Sequence, residues 1–242
     1  MVLRIAVTSV LALFPIVLLL RYFYTRDVNR EPKDVLTRTF VRGVLVVAPA
    51  VFFAWIVSSF WWTSWGAWND ALFTAFVLAA IPEELCKFWV IAGYSARQRS
   101  FNEPMDGLIY GAAAALGFAA LENILYVSSG GWGVALARAF TAVPMHAMTG
   151  AMLGYGVSRR RFSGSIGSIF IWLAVAILTH GGYNFCLLAT NFGMQDGVIS
   201  SPTAVGLIAG AAGILVIACV WTRRTIQRLR RNQLTDQQPV TP

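Results

Sequence analysis

The chain has 242 residues, 57% of them hydrophobic and only 12% charged, and its mean hydropathy is +0.63. Soluble domains carry about 25% charged residues, so the composition argues against a water-soluble globular protein. The net charge of +8 would otherwise suggest nucleic acid as a partner, but the distribution of that charge excludes this reading and reports topology instead.

Apolar runs of about 20 residues are long enough to cross a ~30 Å hydrocarbon core at ~1.5 Å per residue. Seven such runs, 2–23, 43–61, 71–95, 106–127, 133–157, 166–189 and 203–221, predict an all-α polytopic membrane protein. Residues 1–221 would form one intramembrane domain, and residues 222–242 a basic-to-polar tail that lies along the surface and loses order. In the first run, Arg4 precedes the apolar stretch Ile5–Leu20, no small-residue cleavage site follows, and the bulk of the positive charge comes after it. The run therefore reads as a retained helix rather than a signal peptide.

The loops alternate in charge. The first carries Arg26, Arg30, Lys33, Arg38 and Arg42, with Arg21 at its edge. The third carries Arg97 and Arg99, the fifth Arg159, Arg160 and Arg161, and the tail Arg223, Arg224, Arg228, Arg230 and Arg231. These are sixteen of the 19 basic residues, and the second, fourth and sixth loops hold none. Cationic loops stay cytoplasmic, which places the N-terminus outside and the C-terminus inside. Trp61, Trp62, Trp65 and Trp68 cluster at the outer end of the second run, either as an interfacial aromatic belt or as a lip that guides substrate. Cys86, Cys186 and Cys219 all lie in apolar runs and read as free buried thiols.

Glu83, Glu84, Lys87, Glu122, Arg138, His146 and His180 are ionisable residues inside the runs. Each charge costs on the order of 3 kcal/mol at mid-bilayer, so a group on four successive runs points to a wet site rather than isolated helix pairing. Counting from the outer ends puts Glu83 about 18 Å deep, Glu122 about 8 Å, His146 about 20 Å, His180 about 14 Å and Arg138 about 8 Å. Glu122 and Arg138 are therefore expected to pair. At about 100° per residue, Glu83, Lys87 and Glu84 share one helix face with the amine between the carboxylates. That arrangement separates their proton affinities, as general acid–base chemistry requires. Pro82 removes a helix hydrogen bond, frees the carbonyl of Leu78, and predicts a kink that keeps the spot hydrated.

Farther along, Gly107, Gly111 and Ala115 form a small-residue stripe, and His146, Gly150 and Gly154 repeat every four residues, so both faces predict close helix approach. His180 and Asn184 lie one turn apart, with Gly181 and Gly182 leaving room beside them. Their donors suit a developing oxyanion. The metal alternative assembles zinc from Glu122, His146 and His180, although no His-Glu-x-x-His signature is present and the cation of Lys87 opposes a second positive charge. The favoured reading needs no cofactor.

These residues carry a resemblance. Glu83-Glu84-x-x-Lys87, Phe118-x-x-x-Glu122-Asn123, His146-x-x-x-Gly150 and His180-x-x-x-Asn184, in this order on successive runs, resemble the four motifs of the PrsW family. This is a branch of the superfamily that also holds CAAX prenyl proteases and bacteriocin-immunity proteins. Asp27-Val-Asn-Arg-Glu-Pro32 is similar to the family's acidic loop. The resemblance implies an intramembrane endopeptidase of a bacterial cell membrane. Its substrate would be a single-span or otherwise membrane-bound protein, in some members an anti-sigma factor, cut near the outer membrane boundary. It further implies that Glu83 or Glu84 activates water, that Glu122 and His146 orient or share the proton, and that His180 and Asn184 stabilise the oxyanion. Lys87 and Asn123 would have supporting roles. The CAAX branch has a histidine where this chain has Glu122, and an arginine one place after Lys87. Two other readings of the same buried residues compete: a non-catalytic scaffold or immunity-type protein, and a proton-coupled transporter.

Overall fold

The computed structural model describes residues 2–61 and 63–237, and every regular element among them is helical. In chain order these are α1 (Val2–Arg26), α2 (Lys33–Leu45), α3 (Val47–Ser58), α4 (Ala67–Phe73), a π-helical turn (Thr74–Ala80), α5 (Ile81–Gly93), a short 3₁₀ turn (Ser95–Arg97), α6 (Pro104–Phe140), α7 (Ala142–Ser163), α8 (Gly167–Gln195) and α9 (Ser201–Asp236). Lys33–Ser58, Pro104–Tyr126, Gly167–Gln195 and Ser201–Asp236 are long and apolar enough to cross a membrane. That is four of the seven expected spans. The third expected span is divided among α4, the π turn and α5. The fifth is split between the end of α6 and α7, whose composition is rich in Gly, Ala, Met and Thr.

α6 is the hub. Of its most apolar stretch 78% is buried, against 22%, 22% and 17% in the other three long helices, so α6 is surrounded by protein while the others turn large side chains outward. Phe52, Trp55, Phe170, Leu178, Val205 and Ile217 are all exposed, as befits faces solvated by lipid rather than water. Small residues let α6 take this place. A Cβ at Gly111 would overlap the carbonyl oxygen of Gly150, and one at Gly154 the carbonyl oxygen of Gly107, so α6 and α7 touch backbone to backbone. The two stripes read in the sequence are thus one interface. On another side of α6, Gly117 meets the carbonyl of Phe40 and Gly43 of α2 meets that of Ala114.

The ends follow familiar local chemistry. Glu103 and Asp106 form a capping box at the start of α6, with Pro104 in its first turn. α6 bends at Gly131, whose φ of 68° favours glycine. Beyond the bend, residues 132–140 finish this helix instead of opening the next. Ser200 caps α9 through Thr203 N–H. α9 then runs 36 residues, about 54 Å at 1.5 Å per residue, well past a ~30 Å hydrocarbon layer. The segment expected to lie along the surface therefore continues as helix through Asp236, held by Gln233, which is buried. Residues 238–242 lie outside the described residues, as does Trp62. Trp61 stacks on Phe73 with ring centroids 3.6 Å apart and lies 4.0 Å from the ring of Trp65. Trp61 thus packs on Phe73 at the end of α4, and Trp68 reaches Phe185 of α8.

Candidate active site

The π turn sets the site up. Ile81 N–H bonds the carbonyl of Phe76, five residues back, so the helix widens over Thr74–Ala80 before Pro82 starts α5. The sequence predicted a proline kink; the structure places the irregularity in the preceding turn, where one extra residue is taken up. Phe76 of this turn lies where a Cβ of Gly181 would be. The room beside His180 is therefore used for helix packing at Gly181, while at Gly182 a Cβ would lie 3.4 Å from Ile214 Cδ1, an ordinary contact.

From α5, Glu83, Glu84 and Lys87 enter the bundle together. Lys87 is fully buried, and its Nζ lies 2.8 Å from Glu84 Oε1 and 3.3 Å from Glu83 Oε2. The expected order of amine between carboxylates holds. Nζ also lies 2.9 Å from His146 Nδ1 and 4.5 Å from the centroid of the Phe118 ring. An ammonium has only donors, so His146 Nδ1 accepts from it. The ring proton then sits on Nε2, which lies 2.6 Å from Glu122 Oε2. Glu122 Oε2 in turn lies 3.0 Å from Arg138 Nη2, and Arg138 Nε donates to Asn123 Oδ1 at 2.8 Å. The expected Glu122–Arg138 pair is present.

Glu84 is closed in on all sides. Its Oε1 accepts from Lys87, from His180 Nδ1 at 2.7 Å and from Thr149 Oγ1 at 3.3 Å. His180 Nε2 consequently accepts from Asn184 Nδ2 at 3.1 Å. Glu83 differs. Its side chain retains 13% exposure where that of Glu84 retains none. It lines a cavity of about 220 Å³ together with Glu122, Arg138, His146, His180 and Asn184. Glu83 Oε2 lies 4.0 Å from His180 Nε2 and 3.9 Å from His146 Nδ1. These separations are too long for direct hydrogen bonds, and both ring nitrogens already accept, His180 Nε2 from Asn184 and His146 Nδ1 from Lys87.

The chain-counted depths are corrected by this geometry. Glu122 and His146 differ by about 12 Å in that count, yet they are in contact. The reason is the boundary: α7 begins at Ala142, so His146 lies just past its first turn instead of deep in a span that starts at residue 133. Two contributors escaped the sequence reading. Thr149 follows His146 by three residues and shares its helix face, a spacing that could have revealed it. Arg138 was recognised as Glu122's partner but not as part of the cavity wall.

The donor chemistry of a metal centre is present but differently composed from the expected Glu122, His146 and His180. Single ligand atoms of Glu83, Glu84, His146 and His180 lie within 4.8 Å of one another, and among the described residues Glu84 Oε2 has no hydrogen-bond donor. Two imidazoles and two carboxylates suit zinc. As arranged, however, these residues do not fit a metal ion. The Lys87 ammonium already stands within hydrogen-bond reach of three of the four, and a dication at bonding distance from the same atoms would face it with almost no intervening solvent.

Comparison with known proteins gives these positions a context. The sequence model of the "PrsW family intramembrane metalloprotease" matches residues 31–226. A Protease PrsW of Geobacillus kaustophilus is 34% identical over 178 residues, covering 72% of this chain and 77% of that protein. A Protease PrsW of Bacillus subtilis is 33% identical over 182 residues, covering 73% and 81%, and one of Clostridioides difficile is 28% identical over 187 residues, covering 74% and 78%. No solved structure matches the chain. With four motifs converging on one polar cavity and a family match that spans most of its length, the chain belongs to the PrsW family of intramembrane proteases.

Proposed function

We propose that this multi-pass membrane peptidase hydrolyses a peptide bond of a membrane-protein substrate with water activated by Glu83. The observation that carries this reading is the difference between the two adjacent carboxylates: Glu83 faces the cavity, whereas Glu84 is sealed behind it. A water held on Glu83 Oε2 in the cavity gives its proton to Glu83 as its oxygen attacks the scissile carbonyl. Asn184, also on the cavity wall, donates its remaining Nδ2 hydrogen to the developing oxyanion, while His180 fixes its orientation. Glu84 and Lys87 lock the positions of His180 and His146. The proton taken by Glu83 passes to the departing amine, so the products are a carboxylic acid and a free amine. Three carboxylates, Glu83, Glu84 and Glu122, face two fixed cations, Lys87 and Arg138. One additional proton neutralises the cluster, and that proton is the one the reaction moves.

Seven spans with the N-terminus outside and the C-terminus cytoplasmic are part of this proposal. Its support is that all four basic segments gather at one end of the bundle. Arg161 donates to the carbonyl of Ala96, Gln233 to Asp27 and Glu103, and Gln237 to Asn29. His146 sits near the opposite end of α7 from Arg159–Arg161. Cleavage then falls near the outer boundary of a single-span substrate, a class that includes anti-sigma factors. The test incubates the purified chain with a library of single-span proteins, comparing wild type with Glu83→Gln. Cleavage by wild type alone is expected; equal cleavage by the variant refutes the assignment of the base.

A further inference from the structure

A second cluster of carboxylates lies at the end of the bundle where the basic segments meet, away from the cavity. Asp27 and Glu31 come from the loop after α1, and Glu103 and Asp106 from the start of α6. Asp27, Glu31 and Asp106 are 4%, 4% and 0% exposed. Several like charges in such a place require compensation, by a cation or by protons. Among the described residues, no Lys or Arg forms an ion pair with any of the four. Cations are available in the sequence but are turned elsewhere: Arg26 lies over the ring of Tyr22, 4.8 Å from its centroid, and Arg30 lies 5.8 Å from that of Tyr24.

The neutral partners do not complete the cluster. Gln233 Nε2 donates to Asp27 Oδ1 at 2.6 Å and to Glu103 Oε1 at 2.7 Å. Asn29 Nδ2 donates to both oxygens of Glu103, at 3.2 and 3.3 Å. Asp106 Oδ2 accepts the backbone N–H groups of Asn102 and Glu103 at 2.6 and 2.8 Å. Tyr110 donates to Glu31. Asp106 lies within hydrogen-bond reach of Glu31, where one shared proton would serve that pair alone, and Asp27 Oδ2 is left with no hydrogen-bond partner among the described residues although Asp27 is buried. Single oxygens of Asp27, Glu103 and Asp106 lie within 4.8 Å of one another. Opposite oxygens around Ca²⁺ are about 4.6–5.2 Å apart, and around Mg²⁺ about 4.0–4.2 Å, so the spacing suits an oxygen shell of this class and needs at most a small contraction for the smaller ion.

We infer that Asp27, Glu103 and Asp106 form a binding site for a hard divalent cation, with Glu31 adjacent. The all-oxygen donor set selects Ca²⁺ or Mg²⁺ over zinc. The site joins three distant pieces of chain: the loop after α1, the first turn of α6 and, through Gln233, the end of α9. A bound cation would clamp them, and the clamp is independent of how the intramembrane cavity works.

Gln233 supplies a test with a change of sign. The full-length chain in detergent is stripped of divalent ions, then titrated separately with CaCl₂ and MgCl₂ while equilibrium binding and Tm are followed. The wild type is expected to bind one ion per chain with a Kd of about 10⁻⁵–10⁻³ M and to melt at a higher temperature as it does so. Asp27→Asn, which keeps an acceptor for Gln233, is expected to weaken binding by about 10–100-fold or more. Gln233→Glu replaces a donor with a further carboxylate, so it should lower Tm in the stripped protein and recover it when the cation is added. Glu83→Gln, in the other cluster, should bind like wild type. The proposal is overturned if the folded wild type binds neither ion at about 10 mM. It is also overturned if Asp27→Asn and Gln233→Glu both bind unchanged. A third overturning result is stabilisation by acidification alone, which would show a proton shared between Glu31 and Asp106 in place of a metal.

Discussion

Glu83 and Glu84 are adjacent in sequence, but their replacement by glutamine should fail in opposite ways. Glu84→Gln removes the charge that faces Lys87 at 2.8 Å and receives His180 at 2.7 Å, at a residue with no exposed surface. Leaving a buried ammonium short of its main counter-charge costs about 3–5 kcal/mol. At about 2–4 °C per kcal/mol for a chain of this size, the melting temperature should fall by roughly 6–20 °C. Glu83→Gln removes a weaker 3.3 Å contact from a partly exposed side chain, and Lys87 keeps Glu84 and His146. The stability loss should stay near ~1 kcal/mol, a shift of a few degrees. Its effect on turnover should be far larger, since removing a general base costs about 10²–10⁴-fold. Both readings come from one preparation: thermal melts in detergent, and cleavage of a single-span substrate below the lower of the two melting temperatures. If Glu84→Gln melts like wild type while Glu83→Gln is the unstable one, or if Glu83→Gln cleaves normally, the division between a reacting and a holding carboxylate is wrong.

Three more outcomes are expected. Gly111→Val puts carbon where the Gly150 carbonyl stands, so α6 and α7 must separate; a loss of about 3 kcal/mol or more, read as lower folded yield and Tm, checks this, and a wild-type melt contradicts the backbone contact. Chelation should leave proteolysis intact, because Lys87 holds the middle of the donor set; loss of cleavage restored by stoichiometric zinc would make Glu83, Glu84, His146 and His180 ligands. A reporter fused after residue 242 should be active only on the cytoplasmic side, and activity on the outer face would reverse the proposed topology.

What the sequence made legible was set by helical spacing within single segments. Glu83, Glu84 and Lys87 are four residues apart at most, so their common face follows from the rise and turn of one helix, as does the Gly150–Gly154 stripe behind His146. Distances between segments were less accessible, because they depend on where helices begin. Placing the start of the fifth span at residue 133, not at Ala142, was enough to separate Glu122 from His146 on paper by two turns. The π turn was hidden for a different reason: Thr74–Ala80 is an ordinary apolar run, and nothing in its composition announces the wider hydrogen-bond pattern or the packing of Phe76 on Gly181 that accompanies it. The order of α9 beyond residue 222 was masked by its polarity. It rests on Ile226 and Leu229, which reach the core, and on the buried amide of Gln233, which meets partners some 130 and 206 positions away in the chain.

The wide turn at Thr74–Ala80 also makes the chain sensitive to its own length. The turn already takes up one extra residue, so a further residue inserted there would rotate α5 against α4 by about 100° and shift it by about 1.5 Å. α4 is fixed on α8, and α5 on α6 and α7, so one of the two packings must be given up. If α4 holds, Glu83, Glu84 and Lys87 swing away from His146 and His180 into lipid. Most single substitutions in this turn keep the spacing intact. An insertion of one more residue does not, and in this stretch the number of residues carries more of the enzyme's chemistry than their identity.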